Sequence, residues 1–228
     1  MKNTISILIA FFFVITMSAQ DIYEKNIALD GIGKANFQLD FSDQIIIKTW
    51  NKQEVYIKAI VNINDNTDND KYTLTARESG DELLIEAEID NISKIGRTTT
   101  TTSSRGMIVR DDSHCIQLEI DYEILVPENL AVELKTISGD VEAFGLKSPV
   151  RMKSISGLID LSIPADLNAD LKIETVTGEI YSDLDLEVEH EGKFMHAFPG
   201  GDVEARLNGG GLNIRLKTVS GNIYLRKE

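Results

Sequence analysis

Thr136-Ile137-Ser138-Gly139-Asp140-Val141 returns, with variations, as Ser154-Ile155-Ser156-Gly157-Leu158-Ile159, Thr175-Val176-Thr177-Gly178-Glu179-Ile180 and Thr218-Val219-Ser220-Gly221-Asn222-Ile223. A phrase that recurs about every 20 residues describes architecture, not chemistry. Counted from the glycines at 139, 157, 178, 201 and 221, the steps are 18, 21, 23 and 20 residues, with a mean of 20.5. Apolar residues recur with the phrase at −7, −5, −2, +2 and +4. The first unit reads Val132, Leu134, Ile137, Val141, Ala143, and the last reads Ile214, Leu216, Val219, Ile223, Leu225. Positions −6 and −4 are charged in four units: Glu133/Lys135, Arg151/Lys153, Lys172/Glu174 and Arg215/Lys217. Alternation on both sides of a glycine means strand, corner, strand, with one face buried and one wet.

This pattern predicts an all-β chain folded as a single-stranded β-solenoid (β-helix). Its coils of about 20 residues stack at the ordinary strand spacing of ~4.8 Å. Glycine at the corner supplies a turn that other residues resist, and the preceding Ser/Thr bonds local backbone. The β-branched residue two before the glycine is read as pointing inward, so Ile155→Asp is expected to destabilise severely. The unit at Gly201 carries Phe194, His196, Pro199, Val203 and Ala205 at the five positions, a degraded coil.

Upstream, residues 20–130 alternate without a strict period. Phe37-Gln38-Leu39-Asp40-Phe41, Ile45-Ile46-Ile47 and Val55-Tyr56-Ile57 read as strands, with Asn51-Lys52-Gln53 as a tip. Ser79-Gly80-Asp81 reads as a hairpin turn between Tyr72–Ala76 and Leu83–Ile89. Loops are expected at 62–70 and at 97–106, the latter a Thr-rich excursion, and no window shows a helical period. The domain organisation is therefore a signal peptide at 1–19 and one solenoid domain at 20–228, irregular over 20–130 and with five regular coils over 131–228.

The start at Met1-Lys2-Asn3, the apolar run to Ile15 and the small residues Ser18-Ala19 have the layout of a secretory signal peptide. No cysteine stands at the junction, which argues against a lipoprotein. The expected location is periplasmic or extracellular, with no membrane insertion once the signal is removed. Removing it leaves 209 residues and changes the formal charge from −14 to −15. Such a balance disfavours nucleic acid, which needs a basic footprint.

Val126-Pro127 leading into Leu134-Lys135-Thr136-Ile137-Ser138-Gly139-Asp140-Val141, the closing Leu216–Ile223, and Ile47-Lys48-Thr49-Trp50-Asn51-Lys52-Gln53-Glu54-Val55 resemble a family of bacterial β-strand-repeat domains called "putative adhesins". The resemblance covers most of the mature chain. It implies a secreted β-solenoid of either hand, and it brings no catalytic residues with it.

The chemistry-bearing residues have plain readings. The lone Cys115 excludes an internal disulfide, and alternation from Ile116 to Val126 sets it on a polar side, with His114 facing away. Asn64–Asp70 is rich in oxygen ligands, but Asn69 and Thr75 stand where a calcium loop needs glycine and glutamate. It reads as a solvated turn. His190, Glu189 and Glu191 beside His196 read as no metal site, and Gly209-Gly210-Gly211 reads as a tight bend, not a phosphate loop. Asp140, Glu179 and Asp202, with Glu142 and Glu204, read as a solvated acidic edge generated by the repeat. No catalytic, cofactor-binding or metal residue is assigned. No groove of gathered cations of the kind an acidic-sugar lyase needs is evident in so acidic a chain.

The function expected from the sequence is a non-enzymatic envelope or secreted module that binds an unknown envelope protein or glycan. The alternatives are a self-assembling scaffold or, less favoured, a carbohydrate-active β-helix enzyme. Self-association is expected through the C-terminal coil, where Leu225-Arg226-Lys227-Glu228 leaves an uncovered strand edge.

Overall fold

Each Ser/Thr-Gly corner joins two strands that belong to two different columns. The computed structural model describes residues 20–95, 97–102, 108–189 and 197–228. Its strands begin with β1 (Asp21–Ala28), β2 (Lys34–Leu39), β3 (Gln44–Trp50), β4 (Glu54–Ile63), β5 (Tyr72–Ser79) and β6 (Glu82–Ile89). Next come β7 (Arg97–Thr102), β8 (Ile108–Cys115), β9 (Leu118–Pro127), β10 (Ala131–Lys135), β11 (Asp140–Ala143) and β12 (Val150–Lys153). The chain ends with β13 (Ile159–Ile163), β14 (Ala169–Ser182), β15 (Leu186–Val188), β16 (Ala197–Leu207), β17 (Leu212–Ser220) and β18 (Ile223–Lys227). Two short 3-10 turns, at Asn69–Lys71 and Ile92–Lys94, are the only helical segments among the described residues.

The first column is parallel and in register. Ala35, Val132, Val150, Ile214 and Leu171 are successive neighbours across β2, β10, β12, β17 and β14. The second runs Ile45, Val141, Ile159, Ile223 and Ile180 across β3, β11, β13, β18 and the end of β14. All ten side chains are buried in one core. β14 is long enough to belong to both columns, which joins them into one sheet.

Beyond β3 the sheet continues through β9 and β4 to β1, and beyond β2 through β6 to β5. The path from β1 to β5 holds fourteen strands, with β15 and β16 attached beside β14. Its two ends meet through tyrosines. The rings of Tyr23 on β1 and Tyr72 on β5 lie 4.8 Å apart, and the Tyr72 hydroxyl donates to the Tyr122 hydroxyl on β9 at 3.2 Å. Burial pushes the titration of both Tyr72 and Tyr122 upward, so the pair stays neutral.

The architecture is therefore a nearly closed barrel of mixed strands. The single-stranded solenoid read from the repeat is incorrect, and so is its series of five consecutive coils. In space the unit of Gly157 is followed by the unit of Gly221, and only then by that of Gly178. The cause lies in the irregular fourth unit. Its strand β16 turns back antiparallel along the outer edge of β14, pairing Ala169 with Leu207 and Ile173 with Val203. That edge is thereby filled. After the turn at Asn208–Gly210, where all three residues take positive φ, the chain returns between β12 and β14.

Three further expectations change. The irregular N-terminal portion contains a unit of the same kind, β2 and β3, with Ser42 where a corner glycine would stand. One additional residue between Ser42 and Ile45 breaks the phase and hides it. The start of the Thr-rich excursion is strand and not loop, since β7 over 97–102 pairs antiparallel with β8, while 103–106 lie outside the described residues. The last strand has no open edge, because β18 is hydrogen-bonded to β13 on one side and β14 on the other. The turn at Asn64–Asp70, the Ser79–Glu82 hairpin and the tip after Trp50 fall where expected. At that tip the Trp50 indole donates to the Glu54 carbonyl at 2.8 Å, and Lys52 lies over the ring. The proposed signal peptide lies outside the described residues.

Candidate functional site

The corners stack by backbone contact. A side-chain carbon on Gly157 would lie 2.2 Å from the Gly139 carbonyl oxygen, one on Gly221 2.1 Å from that of Gly157, and one on Gly178 2.0 Å from that of Gly221. Such approach excludes any side chain, so the repeated glycine is a packing requirement as well as a turn. The Ser/Thr three residues before each glycine points inward. Thr136, Ser154, Thr218 and Thr175 are buried, and Thr136 and Ser154 donate to the carbonyls of Ser138 and Ser156 at 2.6 and 3.0 Å.

With that hydroxyl inside, the next residue must face out. Ile137, Ile155, Val219 and Val176 are 38, 52, 41 and 66% exposed, and they are four of the five large apolar side chains exposed among the described residues. They form one ridge. Ser156 N donates to the Ile137 carbonyl and Ser220 N to the Ile155 carbonyl, both at 2.9 Å, while the Thr177 hydroxyl reaches the Val219 carbonyl at 3.1 Å. The inward placement expected for these residues is overturned, and with it the severe effect expected of Ile155→Asp.

Beside the ridge lies the outer face of the first column. In-register rows run Glu133, Arg151, Arg215, Lys172 and Lys135, Lys153, Lys217, Glu174. Six bases against two acids thus occupy four adjacent strands of an acidic protein. Directly opposed like charges, Arg151 against Arg215 and Lys153 against both Lys135 and Lys217, are unfavourable in isolation. The flanks are partly neutralised. Glu133 bonds Lys34 at 2.9 Å, and Lys172 bonds Glu204 at 2.8 Å. Glu174 is paired with Lys217, whose hydrogen bond holds its carboxyl below the usual range. Among the described residues, the side chains of Arg151 and Lys153 have no ion pair or hydrogen bond.

This face is concave. A groove of about 470 Å³ is lined by the ridge and by Lys135, Lys153 and Lys217, with the carboxylates Asp40 and Glu174 also in its wall. A second depression of about 320 Å³ is lined by Lys34, Glu133, Arg151 and Arg215. The sequence reading, which found no cluster of cations, missed this face because net charge averages over a surface. The signal was present in the charged −6 and −4 positions, which a common phase places on one side.

The outer face of the second column is opposite in character, and its acids are engaged. Gln44 donates to Glu142 at 3.0 Å, Leu158 N to Asp140 at 3.0 Å, and Arg226 forks onto Asp160 at 2.9 and 2.7 Å. Tyr181, bonded to Glu179, stacks flat on Tyr224 at 5.0 Å. The acidic edge read from the repeat is thus divided: Asp140, Glu142 and Glu179 lie here, while Asp202 and Glu204 sit on β16 beside Lys172. Around Asn64 the polar side chains hold the turn. Asn69 Oδ1 accepts from Ile63 N at 2.7 Å, and Asn64 Oδ1 from Gln117 N at 3.0 Å. Glu189 accepts from Arg206 at 2.8 Å. His190, Glu191 and His196 lie outside the described residues. Cys115 and His114 end β8, and their side chains lie outside what is described.

No family model matches the chain, and no curated protein matches it. Among solved structures, the fold is shared with a "putative cell adhesion protein" from Clostridium sporogenes ATCC 15579, at 12% identity and a TM-score of 0.55. That match spans 92% of this chain and all of the other. A "putative adhesin" from Bacteroides fragilis NCTC 9343 matches at 10% identity and a TM-score of 0.24, covering 92% of this chain and 98% of its own. Another from Parabacteroides distasonis ATCC 8503 matches at 6% and 0.25, over 90% and 97%.

Proposed function

We propose that the chain is a non-enzymatic, adhesin-like binding module, secreted or displayed at the cell surface, that engages its partner through the apolar ridge and its cationic flank. One observation carries this reading: exposed aliphatic side chains are gathered into a single column instead of being scattered. Isolated exposed apolar residues are ordinary, whereas a contiguous stripe rimmed by charge marks an interaction surface. The fold shared with a protein described as a "putative cell adhesion protein" is consistent with this role. Assembly through the last strand is less favoured, because that strand is bonded on both sides.

The test is attachment of the labelled protein to intact bacterial cells, wild type against an Ile155→Ser/Val219→Ser variant. Attachment of the variant should fall about tenfold or more, the scale at which central interface residues act, with an unchanged melting temperature. Equal attachment would remove the ridge as the binding surface.

A further inference from the structure

We infer that the ligand of this face is an acidic polysaccharide, laid across β10, β12, β17 and β14 with its anionic groups on Arg151, Lys153 and Arg215. This rests on the binding-module reading above and names the partner's chemistry.

Charge complementarity gives the sign. The unpartnered Arg151 and Lys153 stand at the centre of a face where like charges oppose one another across strands. An anion bound between the rows relieves that repulsion, and the planar guanidinium of each arginine suits bidentate recognition of a carboxylate or sulfate.

Spacing narrows the class. The basic rows repeat at the strand separation, ~4.8 Å, along a groove perpendicular to the strands. An extended peptide places same-side groups two residues apart, at ~6.6 Å, and drifts out of register with that ladder. A pyranose unit is close in length to the strand separation, so in an extended glycan whose units alternate in facing, same-side anions recur at about two strand separations, ~9.6 Å, and stay in step with every second strand. The groove bounded by Ile137, Ile155 and Val219 receives the C–H faces of the rings.

A second copy of this chain is disfavoured as occupant. The acids that stand opposite one another across strands, Glu142 and Asp160, are already bonded within their own face, as is Asp140 beside them.

The experiment measures binding of the mature protein to polygalacturonate, dextran sulfate, neutral dextran and poly-glutamate, for wild type and Arg151→Glu/Lys153→Glu. Both polyanionic glycans should bind and neutral dextran should not. If only polygalacturonate binds, the anion is a carboxylate; if only dextran sulfate, a sulfate; either supports the inference. Affinity should drop about tenfold or more in the variant, and also on raising salt from ~0.1 to ~1 M, where the Debye length shrinks from ~10 to ~3 Å. The variant replaces like-charge neighbours with opposite ones, so its melting temperature should not fall. Unchanged glycan binding by the variant would overturn the inference, as would poly-glutamate binding as tightly as the glycans. Concentration-dependent self-association abolished by the variant would assign the face to a second copy and overturn it too. If the ridge variant loses cell attachment while wild type binds neither glycan, the binding-module reading stands and this inference falls.

Discussion

Ile155 and Ile159 are both β-branched, both belong to the repeated phrase and stand four residues apart, yet one is half exposed and the other fully buried. The same contrast holds for Ile137 and Val141, for Val219 and Ile223, and for Val176 and Ile180. The difference comes from the corner. Before the glycine, positions −7, −5 and −3 alternate inward, so −3 carries the buried hydroxyl and −2 is forced out. After the glycine the chain enters the second column, and +2 and +4 face the core. Apolar character alone therefore does not assign a face. Parity does, and it separates residues that hold the barrel together from residues available to a partner.

The largest expected effect breaks the buried member of this pair. Ile159→Asp places a charge with no partner in a sealed core and should abolish cooperative unfolding near neutral pH, which thermal melts would show. If the variant melts like wild type, the second column is misplaced.

Between the two members stands the glycine. Gly157→Ala should cost about 3 kcal/mol in denaturant titrations, because its φ of 120° is strained for an L side chain and the new methyl meets the Gly139 carbonyl. A cost below about 0.5 kcal/mol, typical of a surface change, would mean the corners do not stack so closely.

The smallest effect falls on the exposed member. Ile155→Asp should change stability by no more than about 0.5 kcal/mol, because the side chain already faces water. A large loss would return position −2 to the core and remove the ridge from consideration as a binding surface.

Much of this was legible in the residues. Outside the Gly201 unit, where the glycine lies within β16 and turns no corner, the glycine phase and the inward set at −7, −5 and +2 survive as in-register neighbours such as Val150 beside Ile214 and Ile159 beside Ile223. The parity of Ser154 was equally legible: it lies two residues beyond Met152, itself inward, whereas Ile155 lies three beyond. Hydrophobicity alone points Ile155 inward, and the count points it out. The cationic rows could likewise have been read from Arg151/Lys153 and Arg215/Lys217, which share a phase. The unit at 34–50 was harder to see, since one added residue and a serine in place of glycine remove both of its signals.

The sequence by itself determined which residues share a face, because a strand's alternation and a corner's glycine are local properties of the chain. Only the tertiary structure decided which strands are neighbours. The unit of Gly221 sits between those of Gly157 and Gly178 because β16 folds back and fills the outer edge of β14. That choice sets Arg215 and Lys217 beside Arg151 and Lys153 and turns four dispersed bases into one surface. Strand order is a contest among edges of similar chemistry, settled by where the whole chain can pair and bury its faces, and no window of sequence records that outcome.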